Sequence, residues 1–142
     1  MIDFERYFLH NKQIILDNIS YETLKTEPGR PETKLNCKDT ILAQLTANGV
    51  KISFNRALNF EPEGIYSLSV TYTVFMIFDP STKDEIDWAK TDIAGEFKRS
   101  CPQLISVMMS RASLLISQIT SSSGQPPLIT PGAPVQPKKE TE

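Results

Sequence analysis

The chain has 142 residues, 39% of them hydrophobic, with 15 basic and 17 acidic residues for a net charge near −2, which suits one domain with a modest core. The lysines and arginines form no cluster, so no nucleic-acid partner is expected. The opening MIDFERYFLHNKQIIL lacks a basic leader, no apolar run reaches the roughly 18 residues a membrane span needs, and two cysteines show no pairing signal; the expectation is a cytoplasmic protein with free thiols and no membrane insertion.

In the opening stretch Phe4, Tyr7, Phe8 and Leu9 stand at helical spacing and predict a short helix. In DNISYETL, Ile19, Tyr21 and Thr23 alternate, predicting a strand at a sheet edge. KTEPGRPETK carries Pro28, Gly29 and Pro31 and reads as a loop, because proline neither donates to a sheet ladder nor sits inside a helix. KDTILAQLTANG closes on Asn48 and Gly49, a helix stop, and predicts a second helix.

VKISFNRALNF sets Val50, Ile52, Phe54, Leu58 and Phe60 on one side and Lys51, Ser53, Asn55 and Asn59 on the other, the period of a half-buried strand. After the turn EPEG the pattern repeats, with Tyr66, Leu68, Val70, Tyr72, Val74, Met76 and Phe78 on one face and Ser67, Ser69, Thr71 and Thr73 on the other. Two such strands predict an antiparallel hairpin. Phe75 and Ile77 turn the end of the polar face apolar, so something other than water is expected to cover that corner. EIDWAKTDIAGEF reads as a further, weaker strand in which Gly95 permits a bulge or a close backbone approach.

CPQLISVMMSRASLLISQITSSSGQPPL is the strongest helix, with Ser100 as N-cap and Pro102 in the first turn, where its missing N–H is harmless. Cys101, Ile105, Met108, Ala112, Leu115 and Ile119 form a near-heptad stripe, while Leu104, Val107, Met109, Leu114 and Ile116 lie outside it. A helix on a single sheet needs one apolar side. The surplus points to a second surface, covered by another copy of the helix or by an apolar client. TPGAPVQPKKETE has no apolar periodicity, which divides the chain into one domain over 1–130 and a disordered, Pro-rich and charged tail over 131–142.

Little catalytic chemistry is visible. His10 is the only histidine, so neither a metal site nor a triad has its material. Cys37 and Cys101 are too far apart for a metal knuckle; Cys101 reads first as a small buried residue, although a thiol at a helix N-terminus can be acidified. Asp84, Glu85 and Asp87 form an acidic cluster of the kind usually found solvated near turns, and no glycine pattern cradles a phosphate. No enzymatic activity, cofactor or metal is expected. Met108 and Met109 serve equally as core filling or as an adaptable surface for varied partners.

Taken in order, NISYET, VKISFNRALNFEPEGIYSLSVTYTVF, AKTDIAGEF, SCPQLI and ITSSSGQPPLITPGAP resemble the SecB family of protein-export chaperones, over roughly Ile19 to Pro134. The resemblance implies an α+β fold, a four-stranded antiparallel sheet with a long C-terminal helix packed against it. It also implies a homo-oligomer, dimer or tetramer, built through helices of neighbouring subunits, here through Leu104, Ile105, Met108, Ala112, Leu115 and Ile119. The function implied is holding unfolded preproteins or other non-native polypeptides on apolar surfaces, without ATP, for protein export. By environment the client surface would comprise Phe75, Ile77, Trp88, Met108 and Met109. A contact with the SecA motor is implied at Glu22, while Asn18 and Lys90 stand where acids are expected. The family's second C-terminal helix has no counterpart, so its groove wall is expected from self-association or from the segment between Asn36 and Gly49. The alternative is a dedicated interaction module on the same scaffold, for an antitoxin- or phage-associated partner.

Overall fold

The structure is a computed structural model and describes residues 2–10, 12–25 and 33–130. The expected loop around Pro28 to Pro31 and the expected tail over 131–142 lie outside the described residues. A short helix α1 (Phe4–Tyr7) leads into strands β1 (Ile14–Leu24), β2 (Lys34–Leu45), β3 (Gly49–Glu61) and β4 (Ile65–Ile77), which form one antiparallel sheet in the order β1-β4-β3-β2. Two 3-10 turns (Lys83–Glu85 and Trp88–Lys90) then lead to α2 (Ile93–Ser100) and the long α3 (Pro102–Ser122).

The expected hairpin is β3 and β4, paired in register from Gly49 opposite Ile77 to Leu58 opposite Leu68. Alternation sends Val50, Ile52, Phe54 and Leu58 with Leu68, Val70, Val74 and Met76 to one face, where all are buried. β1 is the edge strand its alternation predicted. Its register slips between Leu16 and Asn18, which places a bulge at Asp17.

Two expected elements are corrected. KDTILAQLTANG is not a helix: residues 38–45 complete β2, antiparallel to β3, and residues 46–48 turn the chain into β3. Gly49 starts β3, and a Cβ there would run into the Met76 carbonyl, so its glycine serves close strand approach. EIDWAKTDIAGEF is not a strand but the second 3-10 turn and α2. Asp92 caps α2, its carboxylate accepting from the Gly95 N–H at 3.2 Å, so the space a Cβ would need at Gly95 belongs to that cap.

α3 crosses the inner face of the sheet and buries Ile105, Met108, Met109, Ala112, Ile116 and Thr120. Pro102 lies in its first turn as expected, but Ser100 still belongs to α2 and the N-cap is Cys101. The Ser100 hydroxyl instead donates to the Ile2 carbonyl at 2.8 Å. Leu115 and Ile119 are only half-buried, and Met109 and Ile116 take their place on the sheet. By length and composition α3 is apolar enough to cross a membrane; its inner stripe packs on the sheet instead.

Candidate functional site

β2 is an edge strand whose helix-facing side chains are Leu35, Cys37, Asp39, Ile41, Ala43 and Leu45. Beyond Ile41 this row meets the folded connection between β4 and α2. The connection is held by aromatic packing, because Trp88 packs tilted against Phe8 and Phe78 and edge-on to Tyr7, with ring centroids 5.3, 5.3 and 5.7 Å away. Its indole N–H donates to the Lys83 carbonyl at 2.9 Å, so the ring has one orientation. Between strand and connection lies an open groove of about 540 Å³, lined by the apolar Ile41, Ala43, Leu45, Trp88 and Ile93 together with the polar Thr91 and Asp92. A strand edge beside a partly apolar groove offers an extended chain both backbone partners and pockets for alternate side chains.

Asp39, two residues before Ile41 on β2, belongs to a buried polar node. Arg56 occupies an inward position of β3 with no exposed surface and pairs with Asp39 of β2, Nε donating to Oδ1 at 2.7 Å. Its Nη1 donates to the hydroxyls of Ser113 on α3 and Thr130 beyond it, both at 2.9 Å. The hydrogen bond to Asp39, then the attraction between the charges, raises the guanidinium pKa above its ordinary value. Cys37, two residues earlier on the same face, has its thiol pushed up by burial.

The residues expected to bind clients are not brought together. Trp88 lines the groove but is buried, at 7% exposure. Met108 and Met109 are 0% and 5% exposed and belong to the core under the sheet, which leaves them no outward surface in the single chain. Phe75 and Ile77 are exposed, on the opposite face of the sheet, where the Lys51 ammonium lies 5.9 Å from the Phe75 ring centroid. The corner is therefore partly covered by a neighbouring lysine. Ile41, Ala43 and Leu45 of the groove escape the sequence reading because KDTILAQLTANG reads as a helix, and Ile93 because EIDWAKTDIAGEF reads as a strand; the alternation of Leu35, Cys37, Ile41, Ala43 and Leu45 is the available signal for the first three.

Of the residues expected at an oligomer interface, Ile105, Met108 and Ala112 are buried against the sheet, whereas Leu104, Leu115 and Ile119 are half-exposed. The outward apolar residues of α3 are Val107 and Leu114, with Leu114 62% exposed. Glu22 is exposed on β1, opposite Ser67. Glu85 of the acidic cluster pairs with Arg6 at 2.7 Å, and no group of acid, histidine and cysteine side chains among the described residues could hold a metal. A second cleft of about 620 Å³, between the N-terminal segment and the α2–α3 elbow, contains Cys101. Burial raises that thiol's pKa, contrary to the acidified alternative.

The sequence matches no protein-family model and no curated protein. The fold does have a solved counterpart. A SecB-like chaperone of Mycobacterium tuberculosis, solved in complex with a ChAD peptide from the HigA1 antitoxin, superposes with a TM-score of 0.57 and 10% identity, over 84% of this chain and 89% of that one. The chain has a SecB-like fold, a four-stranded antiparallel sheet with a long C-terminal helix.

Proposed function

We propose that this protein is a SecB-like, non-enzymatic chaperone that holds extended segments of unfolded preproteins or other non-native polypeptides in the groove beside β2. The observation that carries the reading is a groove with apolar side chains from Ile41, Ala43, Leu45 and Ile93 running along an edge strand of a SecB-like fold. Binding there needs no cofactor, because burial of apolar side chains and backbone pairing supply the affinity. Phe75 and Ile77 add a second exposed apolar surface on the far side of the sheet. In this reading the protein works in the cytoplasm as a homodimer or homotetramer, with Val107, Leu114 and Leu104 of α3 meeting a neighbouring copy. Delivery to SecA would draw on Glu22, an exposed carboxylate on β1.

Suppression of aggregation of several unrelated unfolded proteins tests the function. Leu45 is 44% exposed, so Leu45→Glu should abolish suppression while the circular dichroism spectrum stays unchanged; full retained suppression would take the groove out of the function. The solved counterpart carries an antitoxin peptide, which favours a second reading, a module dedicated to one partner. That module would bind a single sequence tightly and leave unrelated clients to aggregate.

A further inference from the structure

α3 does not end the described chain. Gly124 turns it with a left-handed φ of 85°, the usual way to reverse direction at a helix C-terminus. The next residues run back along α3. The Gln125 N–H donates to the Thr120 carbonyl at 3.0 Å and the Leu128 N–H to the Thr120 hydroxyl at 2.9 Å. Thr130 then reaches Ser113, about two helical turns earlier, donating to its hydroxyl at 2.9 Å while accepting from Arg56 at 2.9 Å.

The course of this segment matters because Arg56 also holds Asp39. The segment thus ends, at Thr130, on the ion pair that ties β3 to β2, two residues along β2 from Ile41 of the groove. It is extended and alternates as a bound peptide would: Leu128 is half-buried against the core, Ile129 is 88% exposed, and Thr130 is 8% exposed. Leucine is its apolar anchor and threonine its polar anchor, on a guanidinium with no exposed surface.

We propose that Gln125–Thr130 is a built-in strap and that its seat on Thr120, Ser113 and Arg56 takes extended peptide segments bearing a leucine two residues before a threonine or serine, which displace the strap. The inference rests on the reading of the groove as a peptide site and adds to it a sequence preference and a competitor. Tethering makes the strap the resident occupant, and an incoming segment binds only the fraction of molecules from which it has lifted.

The test uses the full chain. The Leu128 amide, bonded to Thr120, reports strap docking by hydrogen exchange. Thr130→Val should speed exchange at Leu128 and leave β3 amides unchanged. A capped QPPLIT peptide, titrated by NMR, should speed Leu128 exchange in the wild type, bind Thr130→Val about fivefold more tightly because the competitor is weakened, and bind better than QPPLIV. Peptide binding that leaves Leu128 exchange untouched overturns the proposal, as does equal affinity for wild type and Thr130→Val. If QPPLIT fails to bind while unrelated unfolded proteins are still held, only the strap inference falls; if those clients are not held either, the groove reading falls with it.

Discussion

Arg56 and Asp39 are direct register partners across β3 and β2 and form a two-pronged ion pair, Nε to Oδ1 at 2.7 Å and Nη2 to Oδ2 at 2.8 Å, with side chains 0% and 4% exposed. A buried pair of this kind gains little over a well-packed apolar pair, yet is costly to break, because the surviving charge is left without its counterion. Asp39→Ala should therefore destabilise the fold by about 3–5 kcal/mol, and the double change Arg56→Met with Asp39→Leu should recover most of that loss. Urea denaturation followed by circular dichroism measures both; a single variant as stable as the wild type would rule out this role for the pair.

Exposure separates the residues first grouped as client contacts. Phe75 and Ile77 are 44% and 42% exposed, so changing both to serine should cost about 1 kcal/mol each or less and preserve the oligomer mass. Met108 has no exposed surface, and Met108→Ala should cost about 2–5 kcal/mol through the cavity it leaves. Aggregation suppression by the folded double serine variant then decides the client role. Undiminished activity would assign client capture to the groove alone.

Val107 and Leu114 project from α3 away from the sheet, and a soluble protein seldom leaves such a row uncovered. Light scattering behind size exclusion should give a mass of two or four chains. Leu114→Lys should reduce that mass while changing the stability of the individual chain by about 0.5 kcal/mol or less. A wild-type monomer at every concentration would remove α3 as an interface.

Acid should weaken the outer face of the sheet through Asp17. Its carboxylate accepts from the Thr73 hydroxyl at 2.9 Å and lies 3.3 Å from the Lys51 ammonium, and these hydrogen bonds, Thr73 first, lower its pKa. The unfolded chain binds a proton on this group at higher pH than the folded chain does, so stability rises with pH across that window. The contribution is complete above about pH 4, the ordinary aspartate range, and is lost as pH falls through the lower folded midpoint. Asp17→Asn should flatten this component of the pH dependence, which thermal unfolding at a series of pH values would show. An unchanged acid slope would mean that Asp17 titrates alike in both states.

The error at β2 and the omission of Arg56 have one cause. Hydrophobic alternation along β3 counts Val50, Ile52, Phe54 and Leu58 and passes over the arginine between them; along β2 it counts Leu35, Cys37 and Ile41 and is interrupted by Asp39. Each charge looks wrong on an inward position until the other stands opposite it. With the alternation broken, Ile41 and Leu45 satisfy helical spacing equally well, and Asn48-Gly49, which in fact turns the chain into β3, reads as a helix stop. Ser100 failed as a cap for a related reason: α2 runs through it, so the start of α3 presents no free turn there.

The hairpin of β3 and β4, the edge position of β1 and the long helix opening at Pro102 were legible because their signals are local, carried by period two, period 3.6 and a proline at its permitted position. The resemblance added the sheet-plus-helix architecture. Tertiary structure alone decided that β2 is a strand, that Met108 and Met109 are spent on the core, that Trp88 lines a groove beside β2, and that the chain beyond Gly124 returns to Arg56. These depend on partners distant in sequence, and which face of an apolar element meets water is settled only when the element opposite it is in place.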